Sequence, residues 1–284
     1  MICTYDELCN DRGVKVIGIG SEGGLIANTI SLCELPYIES IAVNTDQCMN
    51  ALSDKLTRIA IPDNIEDVFL DEYHTTAMSI KDDIPRETAN GKLIILVADL
   101  FETKAAGISV ALAEILAECK IPVIFFAAVS DDSEDAETAL SRLKEVCKNV
   151  AVFRDVYEDT EYDILISSLE SALIRMLQFD GVINIDLEDI LNFFGGTSEY
   201  LISYAEVDEE NIKDDISAQL FDISDAKKVL MLANCSVESP LEAVSALQTE
   251  VHGLTDNAKM LFGLDMWEVL NRKMLVTIFS DINR

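Results

Sequence analysis

Basic residues are scarce: 21 Lys plus Arg stand against 52 Asp plus Glu, a formal net charge of −31 over 284 residues. A surface this acidic repels nucleic-acid phosphates and anionic lipid headgroups, which excludes nucleic acid as a partner and leaves any membrane link to a basic or membrane-anchoring partner protein. Histidine is nearly missing; His74 and His252 lie far apart in polar stretches, and no proton-transfer or hydride-transfer constellation accompanies them. The seven cysteines include no CxxC and no Cys/His pairing, and their odd number argues against a disulfide framework, so no metal set is expected and a reducing cytoplasm is the natural compartment. No apolar run approaches the ~20 residues of a bilayer-spanning helix, and the opening MICTYDELCNDRG has neither a basic nor an apolar signal region. Direct membrane insertion is therefore not expected. Internal repeats and low-complexity segments are also missing. What is present is 49% hydrophobic and 26% charged, enough for one large or two modest globular domains with substantial cores.

The first half alternates short apolar runs with amphipathic stretches. Strands are predicted at Val14–Ile19, Ile38–Val43, Leu93–Ala98, Pro122–Val129 and Val150–Phe153, and helices at Leu25–Cys33, Ile108–Glu118 and Asp135–Val146. Continuous apolar strands alternating with helices of this length point to an α/β fold, a parallel sheet covered on both faces. Tyr162–Gln178 then reads as one long helix, with Ile164, Leu165, Leu169, Leu173, Ile174 and Leu177 at helical spacing. Beyond it the pattern changes to strands at Tyr200–Val207, Lys228–Ala233, Lys259–Leu264 and Lys273–Phe279, with helices at Asp186–Phe193, Glu209–Phe221 and Pro240–Val251. The expected organisation is a Rossmann-like α/β domain over residues 1–158, a central helix over 159–180, and a second, smaller α/β domain over 181–284.

The first strand runs into Gly18-Ile19-Gly20-Ser21-Glu22-Gly23-Gly24. Glycines at such a turn bring backbone N–H groups close to an anion, and the helix N-terminus that follows adds a favourable dipole. Gly18, Gly20 and Gly23 also satisfy GxGxxG, with Asp46 past the next strand as a ribose ligand, so a dinucleotide-binding enzyme is one reading. A tight strand-to-helix turn with no ligand is another.

Three later segments narrow the choice. Ala42-Val43-Asn44-Thr45-Asp46-Gln47 is followed by Ala51-Leu52; Gly181-Val182-Ile183-Asn184-Ile185-Asp186-Leu187-Glu188-Asp189-Ile190 follows the long helix; Met260-Leu261-Phe262-Gly263 and Leu275-Val276-Thr277-Ile278 close the chain. In this order, behind GIGSEGG and Asn28, they resemble the FtsZ/tubulin superfamily from Val14 to Ile278. The resemblance implies the tubulin/FtsZ fold and a guanine nucleotide, GTP or GDP, with Mg²⁺ where nucleotide is bound. It implies nucleotide contacts at Gly18, Gly20, Ser21, Glu22, Gly23, Asn44, Asp46, Gly107 and Asp155. Asn184, Asp186 and Asp189 match the loop that completes the GTPase site of the next subunit in a filament, orienting water and helping to place a cation by position and charge. The same Asp186 and Asp189 also suit a helix N-cap and first turn, worth roughly 1 kcal/mol without any catalysis.

The sequence departs from the family where the glycine-rich phosphate loop belongs. Asp99-Leu100-Phe101-Glu102-Thr103-Lys104-Ala105-Ala106-Gly107 stands there, and only Gly107 matches. Asp99 and Glu102 place negative charge beside an anionic ligand, with Lys104 as a compensating cation or a solvated side chain. Leu25 replaces an asparagine, Ile61–Thr88 is acidic and glycine-free, and Phe153-Arg154-Asp155 replaces Pro-Asn. Three functions follow. The first is an FtsZ/tubulin-like cytoskeletal assembly protein that forms filaments with itself, or joins those of a related subunit, through head-to-tail contacts with weak, altered or absent GTP binding. The second is an active, assembly-dependent GTPase, and the third is the dinucleotide enzyme. The chain ends at Ser280-Asp281-Ile282-Asn283-Arg284, so tethering through a long C-terminal linker is not expected.

Overall fold

The computed structural model describes residues 13–45, 49, 51–62, 69–129, 133–154, 162–178, 181–255, 257–268, 270 and 272–282. The chain divides into two compact units, Met1–Glu170 with Phe194–Thr197, and Ser171–Phe193 with Ser198–Arg284.

Unit 1 is built on parallel strands: β1 (Val14–Ile19), β2 (Ile38–Thr45), β3 (Thr57–Ile61), β4 (Leu93–Asp99), β5 (Val123–Val129) and β6 (Val150–Arg154), in the order β3-β2-β1-β4-β5-β6. Every residue of β1 and of β4 is buried, as expected of interior strands covered on both faces. Helix α1 (Gly20–Leu32) packs on β1, β2 and β4. Between β3 and β4 lie α2 (Leu70–Ala77), a 3₁₀ turn at Met78–Ile80, and α3 (Asp83–Thr88). Helix α4 (Thr103–Ala117) is buried almost all round, from Ala105 to Leu116, because α2 and α5 (Glu134–Val146) flank it. Ser133 caps α5 by accepting from the Ala136 N–H at 3.2 Å. The strand order matters for function. From β1 the chain steps outward to β2 and β3, then returns to β4 and steps the other way, so β1 and β4 flank the topological switch point where open α/β sheets take ligands.

Unit 2 contains the strands β7 (Thr197–Asp208), β8 (Lys228–Ser236), β9 (Lys259–Trp267) and β10 (Lys273–Ile282), ordered β7-β10-β8-β9. Strand β10 is antiparallel to β7 and β8, while β8 and β9 run parallel. Helices α8 (Ile212–Gln219) and α9 (Leu241–Gly253) turn Ile212, Ile216, Val244, Leu247 and Val251 into a core shared with Val229, Met231, Val276 and Ile278. The long helix α6 (Tyr162–Met176) contains the division between the units, and α7 (Leu187–Phe193) follows it.

Two departures from the sequence expectation bear on the site. Helix α4 begins at Thr103 rather than Ile108, so most of the stretch expected to be a loop is the helix's first turn. An edge strand at Thr57–Ile61 and two helices in the acidic stretch that follows it lie before β4, none of them predicted from apolar periodicity. Among the described residues, no helix is long and apolar enough to cross a membrane.

Candidate functional site

Strand β1 passes into α1 with no intervening loop, and the turn is made by Gly20 at φ +77°, a conformation open to glycine. The flanking glycines are fixed by packing. A Cβ on Gly18 would lie 1.9 Å from the Gly23 carbonyl oxygen, and one on Gly23 would lie 2.4 Å from that of Val97 in β4. Helix α1 is thus seated directly on the sheet. Its N-terminus has no side-chain cap from neighbouring residues. The cap comes instead from 81 residues away: Glu102 Oε2 accepts from the Ser21 backbone N–H at 2.9 Å, and Oε1 accepts from the Ser21 hydroxyl at 3.1 Å. Lys104 Nζ stands 2.9 Å from the same Oε1. A carboxylate at this end of a helix is favoured by the dipole as well as by the hydrogen bonds.

The position of Glu102 is set by its own turn. Asp99, buried at the end of β4, accepts from the Phe101 N–H at 2.8 Å through Oδ1, closing the connection to α4 in three residues. Thr103 Oγ1 donates to Asp135 Oδ2 at 2.7 Å, tying the start of α4 to that of α5. Arg154, at the end of β6, pairs with Glu137 at 2.6 Å. The carboxyl edge of the sheet is stitched together by its own side chains.

These residues do not fit a phosphate at the start of α1. The Ser21 N–H and hydroxyl serve Glu102, and a Cβ on Gly20 would already lie 2.7 Å from Glu102 Oε2 and 2.5 Å from the Ala105 Cβ. Of the remaining nucleotide-contact candidates, Asn44 lies at the same edge, one residue past Val43, which pairs with Ile19. Asn44 is buried, its Oδ1 accepting from the Thr45 N–H at 2.8 Å. Gly107 lies inside α4, where a Cβ would meet the Leu70 carbonyl oxygen at 2.5 Å; its role is the close approach of α4 to α2. Glu22 lies in the first turn of α1 beside Ser21. Asp46 and Asp155 lie outside the described residues. Sequence reasoning marked Glu102 as an unfavourable neighbour of a ligand and missed that its partner is Ser21, because the helix was expected to begin at Leu25 and begins at Gly20.

The second candidate region, in unit 2, is held by backbone. Ile183 N–H donates to the Leu264 carbonyl and Leu264 N–H donates back, each at 3.0 Å, while a Cβ on Gly181 would lie 2.5 Å from the Leu264 oxygen. Val182 is 67% and Ile183 43% exposed, and Asn184 and Asp186 are also exposed. Asp186 caps α7, its Oδ1 accepting from the Asp189 N–H at 2.7 Å; Asp189 itself is half-buried in the first turn. The structure therefore brings Asn184, Asp186 and Asp189 together on one short segment. Beside it is a cavity of about 30 Å³ lined in part by Arg175, Asn184 and Asn234, room for about one water. Arg175 donates to Asn234 Oδ1 at 3.3 Å and lies over the Tyr204 ring, and burial lowers its pKa. Among the described residues, no group of three or more His, Cys, Asp or Glu is placed to hold a metal ion.

Comparison with protein-family models gives no match, and comparison with curated proteins gives none either. Solved structures do match. An empty FtsZ dimer from M. jannaschii superposes with a TM-score of 0.79 at 18% identity, covering 95% of this chain and 88% of that one. This chain has the FtsZ fold. Two further structures with that fold come from Haloferax volcanii. CetZ2 in a GTPγS-bound protofilament gives a TM-score of 0.74 at 17% identity, covering 94% of this chain and 92% of the other. CetZ1 as a GDP-bound monomer gives 0.73 at 14%, covering 94% and 93%. The FtsZ fold accounts for nearly the whole chain. Of the residues that the dinucleotide reading uses, Gly18, Gly20 and Gly23 are already required by packing, and Asp46 lies outside the described residues.

Proposed function

We propose that this protein is an FtsZ/tubulin-type cytoskeletal assembly protein that forms filaments, or joins those of a related subunit, through head-to-tail contacts, with guanine nucleotide binding weak or absent. The observation that carries this reading is the segment 181–189: a backbone-anchored loop that presents Val182, Ile183, Asn184 and Asp186 outward. Exposed apolar residues flanked by polar groups suit a protein interface. In the proposed contact, Asn184, Asp186 and Asp189 of one subunit meet the carboxyl edge of the next subunit's parallel sheet. Residues 1–158, 159–180 and 181–284 then act as nucleotide-binding-type domain, central helix and second α/β domain. The match to an FtsZ dimer and a CetZ2 protofilament supports self-association. With a formal charge of −31, assembly depends on salt and divalent cations, which screen repulsion between subunits.

The test is sedimentation velocity with negative-stain microscopy over a range of protein concentrations, without added nucleotide. Polymer that disappears in a Val182→Asp/Ile183→Asp variant of unchanged thermal stability is the expected result. A chain that stays monomeric at every concentration removes self-assembly. A second reading, an active GTPase, is favoured by the outward display of Asn184 and Asp186. It requires phosphate release from GTP that rises with protein concentration and is lost in Asp189→Ala, together with stoichiometric guanine nucleotide in freshly purified protein.

A further inference from the structure

We propose that Glu102 is a built-in anion that takes the place of a nucleotide phosphate at the start of α1, so that the switch-point edge of unit 1 is permanently filled by the chain itself. This inference rests on the assembly reading and names how its nucleotide edge is regulated: by occupation from within. The donors around the Glu102 carboxylate are a backbone N–H at a helix N-terminus, a hydroxyl and an ammonium, from Ser21, Ser21 and Lys104. Those are the three kinds of donor that a bound phosphate oxygen takes. Both carboxylate oxygens are engaged, as two oxygens of a phosphate would be.

Two further observations concern the space around the carboxylate and the fixing of the residue that carries it. The space is full: a single added carbon on Gly20 would collide with Ala105 and Glu102 together. The residue that carries the carboxylate is also fixed from both sides, by the Asp99 turn before it and the Thr103–Asp135 bond after it. An incoming phosphate has to displace a carboxylate, separate it from Lys104 and tolerate the buried Asp99. Helix α1 consequently sits in its anion-bound arrangement at all times, and the filament contact proposed above forms and persists without a hydrolysis clock.

The experiment is calorimetric titration of the full chain with inorganic phosphate and, separately, with GTP, comparing wild type with Glu102→Ala, Glu102→Gln and Glu102→Ala/Lys104→Ala. Wild type is expected to take up neither probe at concentrations up to about 1 mM, and Glu102→Ala to bind at least about tenfold more tightly than wild type, a gain lost in the double variant. Wild type that binds GTP in the micromolar range, with no gain on removing Glu102, overturns the proposal. Folding of each variant is followed by circular dichroism. If Glu102→Ala does not fold, wild type alone decides through the Ser21 amide resonance. That resonance stays unmoved with phosphate raised to about 10 mM if the seat is filled, and a saturable shift overturns the proposal. Sedimentation is run on the same samples as a separate readout. Loss of assembly counts against the filament reading, whereas anion uptake by wild type counts against the role of Glu102.

Discussion

The carboxyl edge of unit 1 and the segment 181–189 of unit 2 are both made of glycine, short polar side chains and carboxylates, yet they are arranged in opposite senses. At the first, Ser21, Glu102, Lys104, Asn44 and Asp99 are spent on one another or on nearby backbone, and the glycines close the space. At the second, backbone bonds hold the loop while Asn184, Asp186, Val182 and Ile183 face solvent. The same residue types make a closed surface when their partners are internal and an offered one when the backbone alone does the holding. What separates the two is the reach of the side-chain bonds, across 81 residues between Ser21 and Glu102 at the first and no farther than the α7 cap made by Asp186 at the second, a property that composition does not reveal.

The contrast is most severely tested at Gly18. If the edge is sealed by packing, Gly18→Ala forces a carbon against the Gly23 carbonyl and costs about 3 kcal/mol or more, read as a large fall in thermal midpoint. A mild effect would show that the edge has slack and is open to a ligand. The next largest effect comes from pH and belongs to unit 2. Burial pushes the Tyr200 phenol up to about 12 from an ordinary value near 10, so the fold retains the neutral form while the unfolded chain ionises first. That contribution is complete below about pH 10 and is lost as pH climbs toward about 12, on the order of 2 kcal/mol. The single Trp267, in unit 2, reports the transition by fluorescence, and Tyr200→Phe should reduce it without abolishing it, because burial also pushes up the Tyr204 phenol in the same unit. A smaller effect separates capping from assembly: Asp186→Ala should cost about 1 kcal/mol through loss of the α7 cap. Greater loss of polymer than that destabilisation explains would mark an additional contact. The smallest is a gain. Gly24, whose added Cβ would meet nothing nearer than Leu52 Cδ1 at 3.9 Å, should stabilise α1 by about 0.5–1 kcal/mol as Gly24→Ala, within the same glycine-rich segment where Gly18→Ala is ruinous.

The order of strands and helices was legible because apolar runs such as Leu93–Ala98 and amphipathic faces such as Ala136, Leu140 and Leu143 carry their own periodicity. The cap on α7 was legible for a similar reason, since Asp186 and Asp189 are three residues apart and capping is local. The start of α4 was not, because Thr103-Lys104-Ala105-Ala106 has helical propensity but no periodic signal, and the reading followed the glycine at 107 instead. Strand β3, with its exposed Arg58 and Ala60, is too short and mixed to announce itself. The Ser21–Glu102 contact was least legible of all, because its partners lie 81 residues apart and meet only after β1 and β4 have paired. Local chemistry is written in the sequence; long-range satisfaction of polar groups appears only with the fold.

The reciprocal bonds between Ile183 and Leu264 also bear on the thermodynamics of any encounter made by this loop. A segment already clamped to a strand has shed its conformational entropy during folding, so docking it does not incur that cost a second time. Association through Val182 and Ile183 should therefore have a small ordering penalty, a negative heat-capacity change from the apolar area covered, and a rate governed by diffusion and charge rather than by rearrangement.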